Sequence, residues 1–166
     1  MRRNHQRLLA ASLLGIALLG ACGDDADDDA ADDSSDEPTC VPVGPELEAD
    51  AAEVVEVDLT EYAFTPNAIT VPAGVVTFAA SNTGEQFHEL AFLPGGGDVP
   101  FTDEGEPDED ALAEAGAFEL EGFAPNETCN ATYDLAPGTY TLFCIVEDPE
   151  GEPHSTNGMV GLLTVE

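Results

Sequence analysis

Hydrophobic and polar residues alternate through most of the chain from Val54 onward. Val55, Val57 and Leu59 are interleaved with Glu56 and Asp58. The same step of two recurs at Ile69 and Val71 after Pro66-Asn67, and at Val76 and Phe78 after Pro72-Ala73-Gly74. A period of two sends successive side chains to opposite faces, so each run reads as a strand with one face turned to a core. Further runs cover Phe87 to Leu93, Thr128 to Leu135, Thr139 to Ile145 and Met159 to Val165, and no long helical period competes with them. About seven short strands bounded by Pro, Gly and Asn predict an all-β protein, a sandwich of two sheets.

One stretch breaks the rhythm. Residues 94–122 open with Gly95-Gly96-Gly97 and carry ten acidic residues, which predicts a surface insertion with one short helix from Pro107 to Ala115. The N-terminal part is different again. A basic start from Met1 to Arg7, an apolar run from Leu8 to Leu19 and the ending Gly20-Ala21-Cys22 follow signal-peptide grammar, so residues 1–21 are expected to be a leader. The run is short of the roughly 20 residues that span a bilayer. Leu19-Gly20-Ala21-Cys22 resembles the lipobox of bacterial lipoproteins, which makes Cys22 the expected acylation site; an ordinary secretory signal is the alternative. Residues 22–50 then read as a lipidated Cys followed by an acidic, disordered tether, because the nine acidic residues between Asp24 and Glu37 come with no large apolar side chain. The folded domain is expected over 51–166, outside the cytoplasmic membrane.

Charge narrows the function. The chain has 166 residues, with 35 Asp plus Glu against three basic residues, Arg2, Arg3 and Arg7, all within the expected leader. A body without Lys or Arg has no cations for phosphate contacts, which excludes nucleic-acid binding and any P-loop or Arg-clamp mechanism. The excess of acid is spread along the whole chain, as salt adaptation would have it, and docking to a basic partner is the other reading.

Beyond the leader the inventory of reactive side chains is small: His88, His154, Met159, and Cys40, Cys129 and Cys144 besides Cys22. Cys144, His154 and Met159 form a C-x9-H-x4-M run, while His88 sits on a strand far upstream. Taken singly, each has an ordinary reading as core packing. Together, two imidazoles, a thiolate and a thioether suit copper that cycles between oxidation states, imidazole serving the oxidised ion and soft sulfur the reduced one. Strand parity puts Cys144 on the face of Tyr140 and Leu142, and His88 on the face of Leu90 and Phe92, so both can point inward at one end of the sandwich.

The run from Tyr62 to Gly74 (Tyr62-Ala63-Phe64-Thr65-Pro66-Asn67-Ala68-Ile69-Thr70-Val71-Pro72-Ala73-Gly74), then Asn82-Thr83-Gly84 ahead of Phe87-His88, resembles the first half of a cupredoxin. Leu135 to Cys144 resembles the strand leading to the copper Cys of that family, and His154 to Gly161 its plastocyanin-like closing loop. The resemblance covers about residues 54–166. It implies a Greek-key β-sandwich, one type 1 copper ion held by His88, Cys144 and His154 with Met159 as axial ligand, and electron transfer as the activity. Two departures stand out. The nine residues between Cys144 and His154 are more than plastocyanins or azurins have and resemble the loop of type 1 sites in copper nitrite reductases, and four of them are acidic. The residue after the first His, often Asn or Ser in the family, is Glu89, which bears on the redox potential.

With Cys144 assigned to metal, Cys40 and Cys129 are expected to form a disulfide, as Cys left over outside the cytoplasm usually do. The rival is a Cys129–Cys144 bridge across a simple hairpin, which would consume the thiolate; the resemblance argues against it, because in cupredoxins the chain at Leu135 to Tyr140 crosses between sheets. The chain thus reads as a membrane-anchored electron carrier, not an enzyme, working with a redox partner protein, without nucleic acid or small-molecule substrate. Copper capture and delivery, or a metal-free interaction module acting through the insertion, are the alternatives. A catalytic type 2 copper would need further His that the body lacks.

Overall fold

The computed structural model describes residues 40–44, 46, 51 and 53–166. The expected leader, Cys22 and most of the expected tether lie outside the described residues. Among the described residues, ten strands and one short helix follow in chain order: β1 (Pro42–Val43), β2 (Glu53–Thr60), β3 (Ala63–Thr65), β4 (Ala68–Val71), β5 (Gly74–Asn82), β6 (His88–Pro94), α1 (Glu109–Glu114), β7 (Phe118–Phe123), β8 (Thr128–Leu135), β9 (Gly138–Phe143) and β10 (Val160–Val165). No helix among the described residues is long and apolar enough to cross a membrane.

The strands form two mixed sheets, a six-stranded one in the order β1-β7-β6-β9-β10-β4 and a four-stranded one in the order β3-β2-β5-β8. Two pairings are parallel, β2 with β5 and β4 with β10; the others are antiparallel. The chain changes sheet between β1 and β2, β3 and β4, β4 and β5, β5 and β6, β7 and β8, and again between β8 and β9. The last crossing settles the hairpin question: β8 and β9 are not neighbours, and Cys129 faces Ala80 on β5 rather than Cys144.

Alternation in the sequence becomes alternation in burial. On β2 the residues Val55, Val57 and Leu59 are inside and Glu56 and Asp58 outside, and β8 buries Cys129, Ala131, Tyr133 and Leu135 in the same rhythm. Leu59, Phe78, Leu90, Phe92, Leu120, Tyr133 and Leu142 belong to the core cluster. β6 is the exception, buried on both faces from His88 to Leu93. Its inner side chains meet the four-stranded sheet, and its outer ones, Ala91 and Leu93, pack with Phe143 and with Leu112 of α1. The continuous apolar run Leu90-Ala91-Phe92-Leu93 is what a strand covered on both sides requires.

The helix of the expected insertion forms, capped by the Asp108 carboxylate, which accepts from the Ala111 N–H at 3.0 Å. The far end of that segment differs from the expectation. Residues 118–123 are not surface loop but β7, paired with β6 and β1, with Phe118 and Leu120 buried in the core. Glu119 and Glu121 give the stretch an acidic look, yet they alternate with Phe118 and Leu120, and the apolar set decides the face. The near end of the domain differs too. Residues 40–44 and 46, placed in the tether by their position next to the acidic run, are fastened to the sandwich: β1 pairs with β7, Glu46 bridges to Tyr133, and Cys40 is bonded to Cys129.

That disulfide joins residues 89 positions apart, with Cα atoms 5.2 Å apart. Closing so long a loop restricts the unfolded chain, and the chain-entropy account puts the stabilisation at about 4–5 kcal/mol. Replacing both Cys40 and Cys129 by Ser is therefore expected to lower the unfolding free energy by about 2–5 kcal/mol, read as a lower urea midpoint. An unchanged midpoint contradicts this.

Candidate metal centre

Four chain segments meet at one end of the sandwich. His88 opens β6 directly after the loop that leaves β5. Asn82, the last residue of β5 and 1% exposed, shapes that loop: its Nδ2 donates to the carbonyls of Gln86 (2.8 Å) and Phe123 (2.9 Å), and its Oδ1 accepts from the Gly84 N–H (3.0 Å). A β-bulge between His88 and Leu90 against β7 then re-aims the first residue of the strand. Cys144 follows the end of β9, carried inward by the parity it shares with Tyr140 and Leu142.

The long segment between Cys144 and His154 is a small closed loop of its own. Glu147 bridges Pro153, the Asp148 N–H donates to the Glu152 carbonyl at 2.9 Å, and the His154 N–H donates to the Val146 carbonyl at 2.9 Å. Its nine residues therefore fold back on themselves and return His154 to the side of Cys144, where the Ser155 N–H reaches the Cys144 carbonyl at 2.8 Å. Asp148 is the hub: its carboxylate accepts from the N–H groups of Glu150 and Glu152, from Asn157 Nδ2 and from the Tyr62 hydroxyl. The tight turn after His154, with the Met159 N–H donating to the His154 carbonyl at 3.0 Å, delivers Met159 into the core.

The donor atoms of His88, Cys144 and His154 all lie within 4.8 Å of one another. His88 Nδ1 is 3.1 Å from His154 Nδ1, which is 3.4 Å from Cys144 Sγ. His88, Cys144, His154 and Met159 are each 0% exposed. Burial in this dry pocket sets the protonation states. It holds the His88 imidazole down at about 4, helped by the neighbouring His154 ring and opposed by Glu61, and it lowers His154 as well. It pushes the Cys144 thiol well up, with the Glu89 carboxyl adding to the effect and the N–H groups of Glu89 and Val146 opposing it.

Around the triad stand four further residues, Glu89, Tyr62, Gln86 and Glu61. The Glu89 N–H points at Cys144 Sγ at 3.5 Å, while its side chain, 6% exposed, accepts from the Ile145 N–H at 2.6 Å. Burial first and the Glu119 carboxylate second raise that carboxyl to about 8. Tyr62 lays its ring edge-on against His154, centroids 5.3 Å apart, from a left-handed backbone conformation (φ 62°) that a bulky residue rarely takes. Gln86 Oε1 lies 3.3 Å from His154 Nε2, and Glu61 Oε1 lies 3.5 Å from His88 Nε2. Glu89 was visible in the sequence as the neighbour of a ligand candidate. Glu61, Gln86 and Asp148 carry no local signal, because their roles arise only where loops meet.

The donor set fits a soft, redox-active cation. Three ligand atoms converge with nothing between them, both imidazoles are neutral near pH 7, and His88 Nε2 is buried without a well-formed hydrogen bond. The Nδ1 atoms of both rings face the cluster, so an ion held by them would leave each ring's proton on Nε2, which faces an acceptor oxygen, of Glu61 or Gln86.

Comparisons with known proteins agree with this chemistry. No curated protein matches the chain significantly. Among solved structures, auracyanin B matches with a TM-score of 0.60 and 26% identity over 77% of this chain and 99% of its own. The auracyanin of the photosynthetic bacterium Roseiflexus castenholzii, solved in its dithionite-reduced state, matches with a TM-score of 0.52 and 25% identity over 71% of this chain and 99% of its own. The sequence profile of the copper binding proteins of the plastocyanin/azurin family matches residues 51–166. With a β-sandwich, a buried His-Cys-His cluster consistent with one type 1 copper ion and a profile match over most of its length, the chain belongs to the plastocyanin/azurin family of copper-binding proteins, the cupredoxins.

Proposed function

We propose that this protein is a lipid-anchored, extracytoplasmic blue copper protein that passes single electrons between redox partners, with His88, Cys144 and His154 as equatorial ligands and Met159 as the axial one. Family membership and the auracyanin neighbours support the electron-carrier part, and the dithionite-reduced state of the Roseiflexus castenholzii protein is in keeping with a site that changes oxidation state. Anchoring through Cys22 rests on the lipobox-like Leu19-Gly20-Ala21-Cys22. When bound, copper supplies a one-electron change between Cu(II) and Cu(I).

The observation that carries the proposal is that the donor atoms of His88, Cys144 and His154 lie within 4.8 Å of one another, and that these three and Met159 are each 0% exposed. The protein's part is to keep them there. β6 and β9 are central strands of the larger sheet, and the Asp148 hub fixes the loop over His154. Such a frame holds the donors in one arrangement for both oxidation states and keeps water off the site. A delivery protein needs a ligand that opens to its recipient, and none of the four is open. An acidic loop beside His154, with Glu147, Asp148, Glu150 and Glu152, gives a redox partner with a basic face an electrostatic approach that weakens with salt.

Three outcomes test the site. Cu(II) added to the metal-free protein is expected to give an intense thiolate-to-copper absorption in the visible, abolished in Cys144→Ser; a colourless wild type sinks the electron-carrier proposal. Met159→Leu is expected to keep the colour and raise the midpoint potential, because losing a donor leaves the more highly charged ion less well stabilised; voltammetry decides. Finally, the neutral thiol must lose its proton on binding while both imidazoles are already neutral, so the apparent affinity is expected to rise about tenfold per pH unit between about pH 6 and 8. Calorimetry in buffers of different ionisation enthalpy counts the released proton, and an affinity flat with pH contradicts the assignment of Cys144.

A further inference from the structure

The two imidazoles have unlike partners on their outer nitrogens, and the difference is one of charge. His154 Nε2 faces the neutral amide oxygen of Gln86 at 3.3 Å. His88 Nε2 faces the carboxylate oxygen of Glu61 at 3.5 Å and has no other polar partner, although it is fully buried. We propose that Glu61 is a positioning residue of the copper site: it receives the Nε2–H of His88, fixes the ring plane, and places a negative charge behind one ligand that lowers the reduction potential. This rests on the copper reading above and adds to it a residue outside the ligand set.

Glu61 is held for this role. It lies in the turn between β2 and β3, and the same Oε1 accepts the backbone N–H of Glu85 at 2.5 Å and of Gln86 at 3.0 Å. One oxygen thus ties the β2–β3 turn to the loop that delivers both His88 and the Gln86 partner of His154. Gly84 leaves the room: a Cβ built there would stand 2.6 Å from Glu61 Oε1 and 2.8 Å from His88 Nε2, so any other residue would push the pair apart. With the side chain 33% exposed, the carboxylate stays hydrated enough to remain charged while its inner oxygen points at the buried ring.

An anion behind a ligand favours the more highly charged oxidation state, so removing it favours Cu(I). Glu61→Gln keeps an oxygen for both backbone N–H groups and removes only the charge. In copper-loaded full-length protein, E61Q is expected to raise the midpoint potential by about 59 mV, which is a tenfold shift in a one-electron equilibrium, with the visible band and thermal unfolding little changed. The control is Glu85→Gln, an exposed carboxylate on the neighbouring loop, expected to move the potential by less than a quarter as much. A shift in E61Q no larger than in E85Q overturns the proposal. Nitrogen-15 spectra of the Cu(I) wild type give a readout that needs no variant: a slowly exchanging, downfield His88 Nε2–H is expected, and its absence also overturns it, including where E61Q fails to fold. A wild type that gives no blue band sinks the copper site itself, whereas a blue wild type with an unmoved E61Q potential sinks only the role of Glu61.

Discussion

Exclusion of water from the point where His88, Cys144 and His154 meet is the constraint on which the rest depends. Imidazole and thiol groups lose hydration there and gain few protein partners in return, which is an unfavourable exchange of about 1–3 kcal/mol for each unsatisfied group. The protein's own groups answer by staying neutral: His88 is held near 4, His154 is lowered, and the thiol is pushed well up. A pocket that disfavours protonated imidazole but converges two imidazoles and a thiol is one in which a cation takes the place of protons. Folding energy from the core, not local propensity, holds the donors in this arrangement.

The architecture meets the constraint by drawing each donor from a different place. β6 is the strand covered on both sides, so a ligand at its start is dry without special measures. Cys144 lies just beyond β9, which pairs with β6, so the thiol and the first imidazole are brought together by sheet register. The chain crosses sheets between β8 and β9, keeping Cys129 with Cys40 and leaving Cys144 free. The long Cys-to-His loop is folded on itself around Asp148, which explains how an extended spacing still returns His154 to the site.

Two carboxyl groups flank the ligands in opposite states. The Glu89 carboxyl, buried and crowded by Glu119, is raised to about 8, and is therefore largely protonated at neutral pH. Glu61, whose partial burial is outweighed by N–H donors from Glu85 and Gln86 together with the His88 ring, is lowered. Paired carboxyls driven apart by their surroundings are a general device for setting charge near a reactive centre. In a chain of formal net charge −32, position and burial, rather than the number of acids, decide which of them touch the chemistry.

The sequence by itself determined the strands and the donor inventory. A period of two at Val55-Val57-Leu59 can bury only one face, and a body with two His, one Met and one spare thiol offers few ways to assemble a soft metal site. Residues 118–123 look like loop in composition, where Glu119 and Glu121 outweigh Phe118 and Leu120, but burial follows the alternating apolar set and makes them a strand. The start of the domain carries no strand signal of its own, because Pro42 and Val43 form a strand only by pairing with β7. Tertiary structure alone decided the partners of the site: Glu61 on His88, Gln86 and Tyr62 on His154, Asp148 clamping the loop. Period and spacing record which face a residue occupies along its own strand, whereas these contacts join loops remote in sequence, and only packing brings such loops within hydrogen-bonding distance.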